Sequence, residues 1–325
     1  MKKIYYIAVV FAILFLAGCG DGIDLPGVNV ETDLNKIPLP DNNVNLEQVE
    51  LKPSTEPMLH EGLHTEEDFQ RIRDKKAAGE EPWVSAYQLL VESQFSQKTA
   101  DTYPTEWIKR GVSGDENYMN AARGATIAYQ QALRWKIEQD DEYAAKAVEN
   151  LNKWVQTCVG VTGNTNLSLA AGLYGYEFAI AGELLRDYEG WDRADFAAFQ
   201  NWLLKVFYPA NDDFLKRHHD TNALHYWANW CLCNIAAKMA IGIVTDRRDI
   251  YNEGIGHLQT GDTNGRLRRA IYHDYAPDYN FAQWQESGRD QGHTLMCVGL
   301  MGVICQLAWS QGDDFFAYDD NLFMR

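Results

Sequence analysis

Residues 222–244 read NALHYWANWCLCNIAAKMAIGIV. The pattern is helical and apolar almost all round, which marks a buried helix rather than one lying on a surface. After Thr245-Asp246 comes a more polar helix pattern, Arg247–Gln259. Together they predict an antiparallel hairpin with an inner and an outer member. The design recurs upstream, in Tyr118–Glu138 with Glu142–Cys158 and in Leu167–Asp187 with Arg193–Phe207. Thr65-Glu66-Glu67-Asp68 has the form of a capped start for a helix ending near Ala78 at Gly79. Trp83–Phe95 is amphipathic, and Thr294–Ser310 closes the series. Strand-like alternation is nearly absent, and no short-period solenoid signature appears. The expected fold is all-α, an incomplete (α/α) toroid or barrel of antiparallel helix pairs whose inner helix ends and connecting loops line a groove.

A chain of 325 residues can bury a large core, as one big domain or two ordinary ones. Its formal net charge of −17 argues against nucleic acid or an anionic membrane surface as the main partner. The positive charge is clumped, however, at Lys216, Arg217, His218 and His219, at Arg247 and Arg248, and at Arg266, Arg268 and Arg269. A basic cleft for an anionic substrate therefore stays open.

Lys2 and Lys3 precede an apolar run, Ile4–Ala17, too short to span a membrane and ending in Leu16-Ala17-Gly18-Cys19. This ending resembles a bacterial lipobox. The expectation is a signal peptide over residues 1–18, acylation of Cys19, a flexible tether over 19–57 rich in Asp, Asn, Pro and Gly, and a helical domain over 58–325. The protein is then a lipoprotein of the cell envelope. The five remaining cysteines read as small buried hydrophobes; Cys231 and Cys233, two apart, face different ways on a helix and make no metal pair.

Two stretches concentrate polar groups in apolar surroundings. In Ala282–Gln311, Glu286, Arg289 and His293 are spaced to share one helix face. In the opening stretch, Asn222, His225 and Asn229 repeat that spacing beside Tyr226, Trp227 and Trp230. Buried polar side chains need partners. A carbohydrate groove with aromatic sugar platforms supplies them, whereas a satisfied ion-pair network and a hydrogen-bonded core histidine are the plainer alternatives. Thr162–Asn166 and Arg268–Tyr275 are further polar patches, readable also as an Asn cap and a solvated basic loop.

Thr221–Asp246 and Gln283–Gly312, with weaker support from Leu169–Arg186 and Ala128–Trp154, resemble the bacterial alginate lyase-like polysaccharide lyases, closest to the branch acting on mannuronan or glucuronan (polysaccharide lyase family 38). The resemblance runs roughly from His60 to the C-terminus. It implies β-elimination of an anionic uronate polysaccharide, without metal or cofactor, on an incomplete toroid. In that chemistry Asn166, His225 and Arg289 are the candidates to neutralise the carboxylate, and Tyr275, with Tyr272 and Tyr279 as rivals, to move protons. Asn222, Tyr226, Asn229, Trp230, Arg269, Glu286 and His293 are candidates for substrate binding, Glu286 and His293 by positioning Arg289 or meeting sugar hydroxyls. Two departures stand out. The better-known branch carries Asn-Asn-His before Tyr-Trp and a Tyr seven residues after its Arg; here Ala223-Leu224 precede His225, and residue 296 is Met. The chain also ends soon after a helix, where relatives usually continue, so a shortened frame is expected. A glycoside hydrolase using Glu286, Asp290 or Glu177, and a non-catalytic glycan-binding lipoprotein, remain the rival readings.

Overall fold

Four inner helices set the frame: the amphipathic α3 (Tyr118–Glu138) and three that are apolar on nearly every side, α5 (Leu167–Leu184), α8 (Ala228–Val244) and α11 (Gln291–Ser310). The computed structural model describes residues 54–325; the expected signal peptide, Cys19 and most of the tether lie outside the described residues. The four helices run parallel, each packed on the next, α3 on α5, α5 on α8 and α8 on α11. Outside them lie α4 (Asp141–Thr157), α6 (Arg193–Val206), α7 (Tyr208–Arg217) and α9 (Arg248–Thr260). The result is an incomplete α/α toroid. Two N-terminal helices, α1 (Glu66–Ala77) and α2 (Trp83–Glu92), pack against the start of the arc.

Sequence explains most boundaries. Thr65 and Asp68 form the capping box of α1, while Asp140, Asp192 and Asp290 each accept a backbone N–H at the starts of α4, α6 and α11. The approach of α5 to α8 depends on Gly172, where a Cβ would stand 2.5 Å from the Cys233 sulfur. Between α4, α5 and α6, Trp202 packs edge to face on Phe178 and Phe207, and Trp154 lies tilted against Phe178. Trp154 and Phe178 are fully enclosed; truncation of such a side chain costs about 3–5 kcal/mol. The one charge inside α8, Lys238, is likewise enclosed and is neutralised by Asp212 at 2.7 Å and Glu253 at 2.5 Å.

Three expectations from the pattern are corrected. Helix α8 begins at Ala228, not Asn222, because the Asn222 side chain accepts the Leu224 N–H and Asn264 donates to the carbonyls of Leu224 and Tyr226, holding the segment unwound. Glu286, Arg289 and His293 are not on one helix: Glu286 lies in a 3₁₀ turn, Gln285–Gly288, and Asp290 then starts α11. Between α6 and α8 the pattern missed α7, which begins with Pro209 in its first turn. Four short strands are added, β1 (Trp107–Arg110) parallel to β2 (Gly160–Gly163), and β3 (Ile271–Asp274) antiparallel to β4 (Ala282–Trp284).

The C-terminal ends of the inner helices are crossed by residues 54–64. Gln311 exchanges hydrogen bonds with Leu59 and donates to Glu61, His60 meets Asp246 at 3.0 Å, and Arg248 donates to the carbonyls of Glu56 and Pro57. His64 then reaches the Tyr129 hydroxyl on α3 at 2.6 Å. This strap occupies one end of the arc. The other end, where the inner helices begin, carries the polar segments.

Candidate functional site

Three walls meet at the N-terminal ends of α3, α5, α8 and α11. The first comes from β1 and β2. Gly163, at φ +140, is required where it lies: a Cβ there would fall 1.8 Å from the Arg110 carbonyl. The turn that follows places the Asn164 side chain against Gly111, and Asn164 accepts both the backbone N–H and the amide of Asn166 at 2.9 Å. Beside it the Arg110 guanidinium lies 4.7 Å over the ring of Tyr118, which stacks on Tyr174. The Arg110 Nη1 is enclosed and has no hydrogen-bond partner, and Arg110 forms no ion pair among the described residues. Sequence reasoning missed this residue.

The second wall is the unwound segment before α8. Tyr226 is buried, with its ring 4.9 Å from His225 and 4.7 Å from Trp230; Asn222 and His225 are exposed. On the other side of Tyr226 is His219, at 5.7 Å ring to ring. It belongs to a run of three left-handed residues, His218, His219 and Asp220, at φ 50, 53 and 59. Each costs roughly 1–2 kcal/mol away from glycine. Asn229 is buried, its amide near the Met296 sulfur at 3.8 Å and its Oδ1 without a partner.

The third wall is organised by Glu286, which is fully enclosed. Its carboxylate accepts the Asn229 backbone N–H at 2.9 Å, an Arg289 guanidinium N–H at 3.1 Å and the Cys297 thiol at 3.1 Å. Burial, and then the charge of Glu286, hold that thiol far above its ordinary pKa, so it stays a donor. Glu286 therefore caps α8 from a different segment and anchors Arg289; it presents no free oxygen to a sugar hydroxyl. Arg289 leaves that anchor to lie 5.6 Å over the exposed Trp227 ring. The His293 Nδ1–H donates to the Asp290 carboxylate at 2.6 Å, and the His293 backbone N–H donates to the same carboxylate. Hydrogen bonds from the backbone and ring of His293 hold Asp290 below the usual carboxylate range.

The β3–β4 hairpin stands beside this wall. Tyr275 donates to Gln283 at 3.0 Å and packs against His273 and Phe281. Burial and then Tyr272 raise its pKa, so the phenol keeps its proton. Arg269, on the short helix α10 (Leu267–Ala270), has an enclosed Nε without a partner and forms no ion pair among the described residues.

The structure thus groups His225, Tyr226 and Trp230; Asn229, Glu286 and Arg289; and Arg289 with Asp290 and His293. Asn166 belongs to the opposite wall with Arg110, while Tyr275 and Arg269 touch none of these groups directly. Four helix N-termini point into the space, and their partial positive charge adds to Arg110 and Arg289. Arg289 is offset by Glu286 and Asp290, so among the described residues the uncompensated positive charge of this region is that of Arg110 and the helix termini.

A family model described as alginate lyase matches residues 72–322. Among solved structures, a histidine-to-alanine variant of alginate lyase A1-III complexed with a tetrasaccharide superposes with a TM-score of 0.61 at 14% identity, covering 81% of this chain and 74% of that one. Alginate lyase A1-III from Sphingomonas species A1 gives 0.56 at 13%, covering 81% and 75%. An alginate lyase from Bacteroides ovatus gives 0.54 at 14%, covering 79% and 78%. At such identities the likeness is one of fold. No curated protein matches the chain.

Proposed function

The chain belongs to the alginate lyase family and is a polysaccharide lyase, and from that premise we propose that it cleaves a uronic-acid polymer of the alginate, mannuronan or glucuronan type by metal-free β-elimination. The observation that carries this reading is the pair of guanidinium groups on opposite walls, Arg289 fixed by a fully buried carboxylate and Arg110 with an enclosed, unpartnered Nη1.

The C5 hydrogen of a uronate is a poor acid while the neighbouring carboxylate is charged. A guanidinium fork neutralises that carboxylate and stabilises the charge that develops when the proton leaves. Arg289 takes this role, assisted by the Asn166 amide, and Arg110 holds a neighbouring carboxylate of the polymer. Proton removal places the C–H electron pair between C4 and C5, and the C4–O bond breaks. The departing oxygen needs a proton. Tyr275, with its raised pKa, suits the acid better than the base, which leaves the base to an imidazole of the second wall. Asn222, Trp227 and Trp230 offer hydroxyl contacts and ring faces to neighbouring sugars.

Hydrolysis requires two carboxyl groups across the scissile bond. The three acids weighed for it are committed elsewhere: Glu286 is enclosed, Asp290 caps α11, and Glu177 has its Oε2 buried on α5. The lipobox-like ending at Cys19 supports a lipid-anchored envelope protein. Cys19→Ser is expected to abolish incorporation of a labelled fatty acid, and unchanged incorporation would remove the anchor.

The function is tested by ultraviolet absorbance of the soluble domain acting on polymannuronate, polyguluronate, glucuronan and a glycosaminoglycan. Absorbance from unsaturated uronate is expected with one of the first three. No rise from folded protein with any polymer overturns the proposal.

A further inference from the structure

Two histidines flank Tyr226, and only one of them is built in. His225 is exposed and forms no side-chain hydrogen bond among the described residues. His219 is half-buried, and its Nε2 lies 3.0 Å from the hydroxyl of Ser168, itself buried in the first turn of α5. The His219 ring is edge-on to Tyr226 and 5.5 Å from Phe214, so aromatic rings limit its rotation. Its backbone is the middle of the left-handed run at 218–220. Such a run does not by itself mark a site, since residues 319–321 form another, which places Asp319 against Arg268. What distinguishes His219 is that the unusual backbone delivers a ring to the groove, between the second wall and the α5 terminus next to Asn166.

We propose that His219, rather than His225, is the imidazole that removes the C5 proton, with the Ser168 hydroxyl holding its ring in place; this rests on the lyase reading above. When Nε2–H is donated to the Ser168 hydroxyl, Nδ1 carries the free electron pair, and Nδ1 has no partner among the described residues. Nδ1 takes the C5 proton, the C–H pair becomes the C4=C5 bond, and the C4–O pair departs with the glycosidic oxygen, which accepts the Tyr275 proton. Solvent then returns a proton to Tyr275 and removes one from His219. The titratable groups nearest the ring are Tyr226, with His225 beyond it, and His218 and Asp220 along the chain. An imidazole suits this step because its ordinary pKa lies near neutrality.

The test compares wild type with His219→Gln, His219→Asn and His225→Ala on the polymer that wild type cleaves. Gln keeps a nitrogen within reach of Ser168, and Asn tolerates the left-handed backbone. Both are expected to lose kcat at least ~100-fold with KM within about threefold, while His225→Ala loses less than about tenfold. The acidic limb of the kcat/KM profile is expected to disappear with the His219 variants, an effect a purely structural residue would not produce. In wild type, a saturated uronate tetramer is expected to shift the His219 Cε1–H proton resonance. Retained kcat in His219→Gln, or the large loss falling on His225→Ala, overturns the assignment while leaving the lyase function standing. A wild type that forms no unsaturated product overturns both.

Discussion

Glu177 faces its neighbours from within α5 with one carboxylate oxygen enclosed and unpartnered, and burial lifts its pKa to about 8. Its folded-state pKa lies above the ordinary 4.5, so the folded protein holds a proton that the unfolded chain releases. The resulting cost is absent below about pH 4.5, grows as pH rises and is complete near pH 8. Glu177→Gln is therefore expected to stabilise the protein at pH 8 by roughly 2–4 kcal/mol and to match wild type near pH 4. Thermal unfolding at the two pH values checks this, and an equal gap at both would contradict it. Arg110 gives a second expectation at this scale: Arg110→Ala raises KM for the polymer about tenfold or more with the melting temperature unchanged, since a charge-assisted hydrogen bond contributes about 1.5–3 kcal/mol. Neither residue was conspicuous in the sequence as a binding group. Arg110 lies in a stretch without helical period, and nothing local to it announces that β2, fifty residues later, will bring Asn164 beside it. His219 was visible only as part of a basic clump, because a left-handed backbone leaves no compositional mark in non-glycine residues.

Among elements, α8 and α11 are joined by one carboxylate. Glu286 satisfies an orphan N–H at the start of α8 while gripping the arginine that precedes α11. Glu286→Ala is expected to destabilise the fold by about 2 kcal/mol, discounted because Arg289 is a third exposed, and to release Arg289 from the groove. Glu286→Gln should keep most of the stability, because an amide oxygen still caps α8, yet reduce kcat. Equal kcat in Glu286→Gln and wild type would show that the ion pair does not position Arg289. The helices themselves were legible, since apolar residues all round α8 mark an inner helix and Asp before a periodic run marks a start. The spacing of Asn222, His225 and Asn229 predicts helix for the segment before α8. Its unwinding depends on Asn264, forty residues away, which spacing within one segment does not reveal.

Across the whole molecule, function and closure occupy opposite ends of the helix arc. The groove lies where inner helices start, and the strap of residues 54–64 ties their C-terminal ends together. His64 in that strap and His257 on α9 are both held neutral, chiefly by burial, with pKa lowered from 6.5 to about 4. For a histidine depressed in the folded state, stability is lost as pH falls through the unfolded value towards the folded one. Unfolding free energy is expected to drop between about pH 6.5 and pH 4, and replacing His64 with Gln should shallow that slope. An unchanged slope would assign the acid sensitivity elsewhere. The toroid class was legible from the alternation of apolar and polar helices, whereas the strap was not, because its contacts are backbone carbonyls met by Gln311 and Arg248.

The most direct test of the central claim is the mass of products formed in water enriched in heavy oxygen. Elimination adds no water, so the lyase account expects unsaturated oligouronates carrying no solvent oxygen. Saturated products with one heavy oxygen at each new reducing end would show hydrolysis and contradict it.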